Sequence, residues 1–232
     1  MAEADSAAQL REEERESMWE AAPAVALVIA GQLMLALLSR DQHWHLLSLG
    51  WWIWLAPAGP EVVLLLPLAW HRPRAHLEQR GMRRAVSLTL ISVISLCNGV
   101  LICLLVTSLL RGDEHSGPEL LARAVTVWGT NVVAFGLWFW VFDRGGPARR
   151  EQPGHPPPDF QFPQMENPKL AAPGWHPELL DYIYISFTNS IAFSPTDAMP
   201  LSRRAKLLML CESATSAITV LLAAARAVNI FK

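Results

Sequence analysis

Residues 85–110 run for 26 positions without a charged side chain. As a helix this run is about 39 Å long at 1.5 Å per residue. That is enough to cross the ~30 Å hydrocarbon core of a bilayer with some tilt. In water such a helix would have to be covered on every side. The run therefore predicts a membrane-spanning helix, and it sets the class within which the rest of the chain is read.

Composition agrees. The 232 residues are 52% hydrophobic and 17% charged, where a soluble domain carries about 25% charge. The net charge of −2 is confined to loops, and no basic face of the kind nucleic acid requires is present. The lipid bilayer is the first partner implied.

Nothing in the spacing points to a metal, a cofactor or an enzyme. Cys97, Cys103 and Cys211 all lie in apolar runs, and Cys97 and Cys103 would stand about 240° apart on a helix. They read as small core residues. His43 and His45 point to different sides of a helix with no third ligand near, in a region where Trp44, Trp51, Trp52 and Trp54 crowd. Tryptophan concentrates at membrane–water interfaces, so this is an interfacial loop. Paired carboxylates and a Ser/His/Asp set are both missing from the pattern.

Four parts follow. Residues 1–20 form an acidic tail, opposite in sign to the opening of a secretory signal; Ser6 is placed to cap a short surface helix there. Residues 21–142 carry four spans. The first covers 21–39. The second is short, about 61–70, after an interfacial approach that Pro57, Gly59 and Pro60 interrupt. The third is 85–110, where Ser95 and Asn98 share a face and are expected to bond a neighbouring helix or to line a polar path. The fourth is 120–142, where Gly129 and Gly136 allow close helix contact and Thr130 and Asn131 can bond across helices. Residues 143–177 form a linker with nine prolines, expected to be polyproline II or disordered. A protein partner that reads proline-rich segments is one occupant for it. Phe160, Phe162 and Trp175 predict that part of it folds back on the membrane surface.

Residues 178–232 hold the candidate functional segment. Its first apolar run, 181–193, is too short to stand upright across a bilayer. A polar turn from Ser194 to Pro200 follows, then a full span from Arg203 to about Ile230. A short helix, a turn and a span outline a re-entrant loop, with Thr188, Asn189, Ser190, Ser194, Pro195, Thr196 and Asp197 around its tip. Ser194, Pro195 and Asp197 also fit a helix cap, a first-turn proline and a first-turn acid, and Ser202 can cap the last helix. On that helix Glu212, Ser216, Thr219 and Arg226 fall on one stripe. A charge near the bilayer centre costs about 2.5–3.5 kcal/mol on insertion scales, so Glu212 needs a partner. The Arg203–Lys206 turn, Asn98, Asn131 and the 190–196 turn are the candidates. The stripe is either a structural hydrogen-bond network, with Arg226 reaching headgroups, or a lined pathway.

The loop at 71–84 has Arg72, Arg74, Arg80, Arg83 and Arg84 against Glu78. The positive-inside rule makes it cytoplasmic, and a phosphate or lipid-headgroup site is the alternative. Charge then favours five crossings with residues 181–193 re-entering from inside. Six crossings follow if that segment crosses fully.

Residues 184–228 resemble the pore loop and inner helix of tetrameric potassium channels. Tyr184, Ser186 and Phe187 match the start of a pore helix, Asp197 and Pro200 the residues after a filter, and Glu212 and Arg226 the inner helix. The filter itself departs. Its glycines, which open backbone angles closed to other residues, are absent, and Pro195 holds φ near −65°. Potassium pore loops also enter from outside. The chain looks similar as well to bacterial integral-membrane proteins without an assigned activity that share Phe-Thr-Asn-Ser and Phe-Ser-Pro-Thr-Asp. The resemblance implies a multi-pass protein of the bacterial cytoplasmic membrane, channel-like with a degenerate pore loop, homo-oligomeric, and passing an ion or small solute. The alternative is a non-conducting structural or regulatory membrane protein that engages partners through its linker and basic loop. The expected fold is an all-α polytopic bundle with five or six hydrophobic segments, one of them a short re-entrant or hairpin helix.

Overall fold

The computed structural model describes residues 2–69, 83–113, 116–150, 154–192 and 197–230, with side chains described from residue 21. The basic loop around Arg72–Arg80 and the Ser194–Thr196 turn with its cap lie outside these residues. Six helices longer than one turn carry the described fold: α1 (Ala2–Asp41), α2 (Ala58–Ala69), α3 (Arg83–Arg111), α4 (Gly117–Phe142), α5 (Leu179–Ala192) and α6 (Arg203–Ile230). Two two-residue strands, β1 (Phe160–Gln161) and β2 (Met199–Pro200), pair antiparallel. Five segments are long and apolar enough to cross a membrane: Ala21–Asp41, Trp51–Leu68, Arg84–Arg111, Gly117–Gly145 and Arg203–Ile230. The chain is thus a nearly all-α polytopic bundle with a short helix before its last long one.

Several boundaries differ from the sequence reading. The acidic tail and the first span form one helix, with Pro23 inside it. The second span begins earlier than the prolines predicted. A 3-10 turn at Trp51–Trp54 leads into α2 at Ala58, so Pro60 occupies the first turn, where a missing N–H costs little. Trp51 and Trp52 are exposed as an interfacial pair would be, but Trp54 is buried in the core.

The chain divides into two compact units. One comprises Ala24–Ala134 and Ala214–Lys232. Its core is mostly aliphatic, built on Leu35, Leu46, Leu101, Leu105 and Val127 with Trp54 among them. The outward faces are apolar too, as at Leu96, Val100 and Leu110 of α3, while Gln32, Glu61, Asn98, Asn131 and Ser216 are buried. Polar-inside, apolar-outside is the arrangement hydrocarbon demands. The hydroxyls that do face outward are satisfied within their own helix. Thr89, Ser92 and Thr107 donate to the carbonyls four residues back, at 2.7–2.9 Å. α3 ends in a left-handed Gly112 (φ 77°), with Asp113 N–H bonding Ser108 O and Gly112 N–H bonding Leu109 O.

The other unit comprises Met1–Pro23 and Phe135–Ser213. Here the proline-bearing segment is folded rather than a free linker. Asp143 is fully buried, and its Oδ1 accepts the N–H groups of Asp159 (2.7 Å) and Phe160 (3.3 Å). β1 then pairs with β2, and Phe160 and Phe162 bury against Phe139 and Tyr182. Within the segment, Phe162 and Trp175 make a ring contact with centroids 5.9 Å apart. Among its described residues the segment is anchored by Asp143 on the Asp159 and Phe160 N–H groups and by Phe160 and Phe162 on Phe139 and Tyr182.

α5 packs closely on the end of α4. A Cβ built at Gly136 would come within 2.9 Å of Ile183 Cγ1 and 3.0 Å of its Cα, whereas one at Gly129 meets nothing within 4 Å. Of these two, Gly136 is the close-contact glycine. Gly136→Ala should therefore destabilise the purified protein by about 1–3 kcal/mol through overpacking. Gly129→Ala should be neutral or stabilising by up to about 1 kcal/mol from helix propensity. Thermal unfolding of the two variants in detergent checks both.

Candidate functional site

The buried face of α5 carries polar groups beside Leu179 and Ile185, and its exposed face carries a stripe of apolar and aromatic side chains. Tyr182, Ser186 and Asn189 recur at helical spacing and are buried, as is Ser190, while Leu180, Tyr184, Phe187 and Ile191 form an exposed stripe. A helix in water shows the reverse.

The polar face meets Glu212 of α6, which is fully buried. Asn189 Nδ2 donates to Glu212 Oε2 at 2.7 Å and to Met209 O at 3.0 Å. Ser186 Oγ donates to Glu212 Oε1. Ser213 Oγ in turn donates to Asn189 Oδ1 at 3.1 Å, which fixes the amide's orientation. Both carboxylate oxygens thus have a donor from α5. Neither donor belongs to the set weighed from the sequence for Glu212; both lie within α5.

The other loop-tip candidates among the described residues are dispersed. Ser190 donates to Phe187 O, and Thr188 to Tyr184 O and Ile185 O. Asp197 is exposed and accepts the Tyr184 hydroxyl at 2.8 Å. Pro200, expected just after a filter, lies in β2 opposite Phe160. Ser202 caps α6 as predicted, its Oγ accepting Ala205 N–H at 3.1 Å.

A second polar set lies in the Ala24–Ala134 and Ala214–Lys232 unit. Asn131 Nδ2 donates to Ser216 Oγ and Thr215 Oγ1, both at 3.1 Å, and its Oδ1 accepts Asn98 Nδ2 at 3.5 Å. Thr219 bonds its own helix at Thr215 O. Arg226 donates to Gly112 O at 2.7 Å, placing a cation at the C-terminal end of α3, where carbonyls lack partners. The stripe read from the sequence is real, and each member is held by the protein itself.

Sequence reading missed three groups. Tyr182 donates to Asp143 Oδ2 at 2.5 Å and accepts from Arg150 Nη1 at 2.7 Å. Arg150 also donates to Pro177 O and Trp140 O. Burial pushes the Tyr182 phenol pKa up, against the opposing pull of Arg150, so the hydroxyl stays a donor. Glu61 with Gln32, and Arg123 with Glu119, are the other two. Their signal was a lone polar residue inside an apolar run. Among the described residues no three His, Cys, Asp or Glu side chains converge as metal ligands would.

No protein-family model matches the chain, and no curated protein or solved structure is detectably similar to it.

Asn189→Leu should cost about 2–3 kcal/mol, because it strips one donor from a buried carboxylate. The triple variant Ser186→Ala, Asn189→Leu, Glu212→Leu should be more stable than Asn189→Leu alone, since it removes the stranded acid as well. Unfolding midpoints of the two variants decide it.

Proposed function

We propose that the chain is a multi-pass protein of the bacterial cytoplasmic membrane that acts as a non-conducting structural or regulatory module. The five apolar helices seat it in lipid. The folded segment at 154–178 is its surface for a protein partner, with exposed Pro157, Pro168 and Pro173 held on a fixed frame rather than on a free linker. The reading rests on Glu212. A pore would turn this carboxylate toward water, and here it is fully buried with a donor on each oxygen.

The channel-like reading keeps one observation on its side. A short helix precedes the last long one, with Asn189 and Ser190 turned inward. In that reading homo-oligomeric copies surround an ion or small-solute path at residues 184–197.

Flux separates the two. The full chain reconstituted in liposomes should pass monovalent ions and small neutral solutes no faster than protein-free liposomes. Glu212→Gln should leave that result unchanged. Flux above background that Glu212→Gln alters in a folded protein would overturn the proposal in favour of the channel.

A further inference from the structure

Glu61 is also fully buried, and its surroundings are unlike those of Glu212. It lies inside the Trp51–Leu68 span, in the first turn of α2. Gln32 of α1, also buried, donates from Nε2 to Glu61 Oε1 at 3.1 Å. Two oxygens remain, Glu61 Oε2 and Gln32 Oε1. Both are buried, and among the described residues neither has a hydrogen-bond partner. Among the described residues no Arg, Lys or His acts on Glu61, and Gln32 is its hydrogen-bond donor. On the neighbouring α3, Cys97 is the titratable group that the Glu61 charge reaches; its thiol is neutral or anionic and brings no positive charge.

An ionised Glu61 leaves this arrangement with a buried charge and two acceptors that nothing donates to. The first turn of a helix favours an anion, but that effect is small beside the cost of taking a charge out of water. A metal cation does not resolve it either, since two oxygens are too few for the six to eight that hard cations take. A proton needs only one oxygen to carry it and one to accept it. Amide and acid groups already joined by one N–H···O bond close into a cyclic pair when the acid's other oxygen donates back to the amide oxygen. Both orphan oxygens are then satisfied by a single hydrogen.

We infer that Gln32 and Glu61 form an intramembrane proton-binding site, in which Glu61 Oε2 carries the proton and donates it to Gln32 Oε1. Loading forms an O–H bond at Oε2 and breaks one in hydronium, releasing water; no oxidant or reductant takes part. The site is independent of the Glu212 cluster and of whether the chain conducts. It makes the first two spans a pair joined by a neutral, two-bond clasp rather than by an ion pair.

Infrared spectroscopy of the full chain in liposomes at neutral pH tests this. The wild type should show a carboxylic-acid C=O band that shifts in deuterium oxide. Glu61→Gln should remove it, and Glu212→Gln should leave it in place. Gln32→Leu should shift the same band to higher frequency, because the carbonyl loses its N–H donor. If Glu61→Gln does not fold, Glu61→Asp serves instead and should displace the band. A carboxylic-acid band indifferent to residues 32 and 61, or loss of a carboxylate band rather than an acid band in the variants, overturns the assignment.

Discussion

Hydrocarbon offers no hydrogen bonds, and most of this structure follows from that. Each polar atom that enters an apolar layer must bring or find its partner. Short hydroxyl side chains bring theirs. Thr89, Ser92 and Thr107 fold back onto their own helix and ask nothing of the packing. Longer groups cannot do so and become joints between helices. Asn131 ties α4 to α6, Arg226 closes the end of α3, and Glu212 ties α6 to α5. The polar residues of this chain act as its fasteners because the apolar ones, equally at home in lipid, fasten weakly.

Glu212 and Glu61 resolve the same difficulty in opposite ways. Around Glu212 the protein supplies donors, one to each oxygen, and steadies one of them through Ser213. Around Glu61 it supplies one donor and one acceptor. The first environment suits an acceptor of two bonds. The second suits a group that gives one and takes one. Asp143 shows a third arrangement, in which a carboxylate organises loop backbone through two N–H groups and a phenol.

The spans, the short fifth helix, the cap at Ser202 and the stripe on α6 were all legible in the sequence. Each depends on local composition or on helical spacing. What was not legible depends on partners far along the chain. Nothing near residue 212 indicates that Ser186 and Asn189 will reach it. The proline-bearing segment looked unstructured because its order comes from Asp143, sixteen residues before Asp159. Gly129 and Gly136 are equivalent by spacing, and only the position of Ile183 distinguishes them. Glu61 reads as the boundary of a span, since the prolines just before it resemble a helix start.

The inverted face of α5 bears on how the protein is made. Fourteen residues span only about 21 Å as a helix, so α5 has neither the length to cross a bilayer nor a polar face that could lie against lipid unpaired. Its partner, Glu212, is translated later. Until that residue leaves the ribosome, Ser186 and Asn189 have water as their best alternative, and α5 belongs outside the hydrocarbon. The segment therefore settles out of sequence order, after the helix that follows it. A ribosome that pauses before residue 212 would hold a chain with four long helices seated and α5 still waiting at the surface.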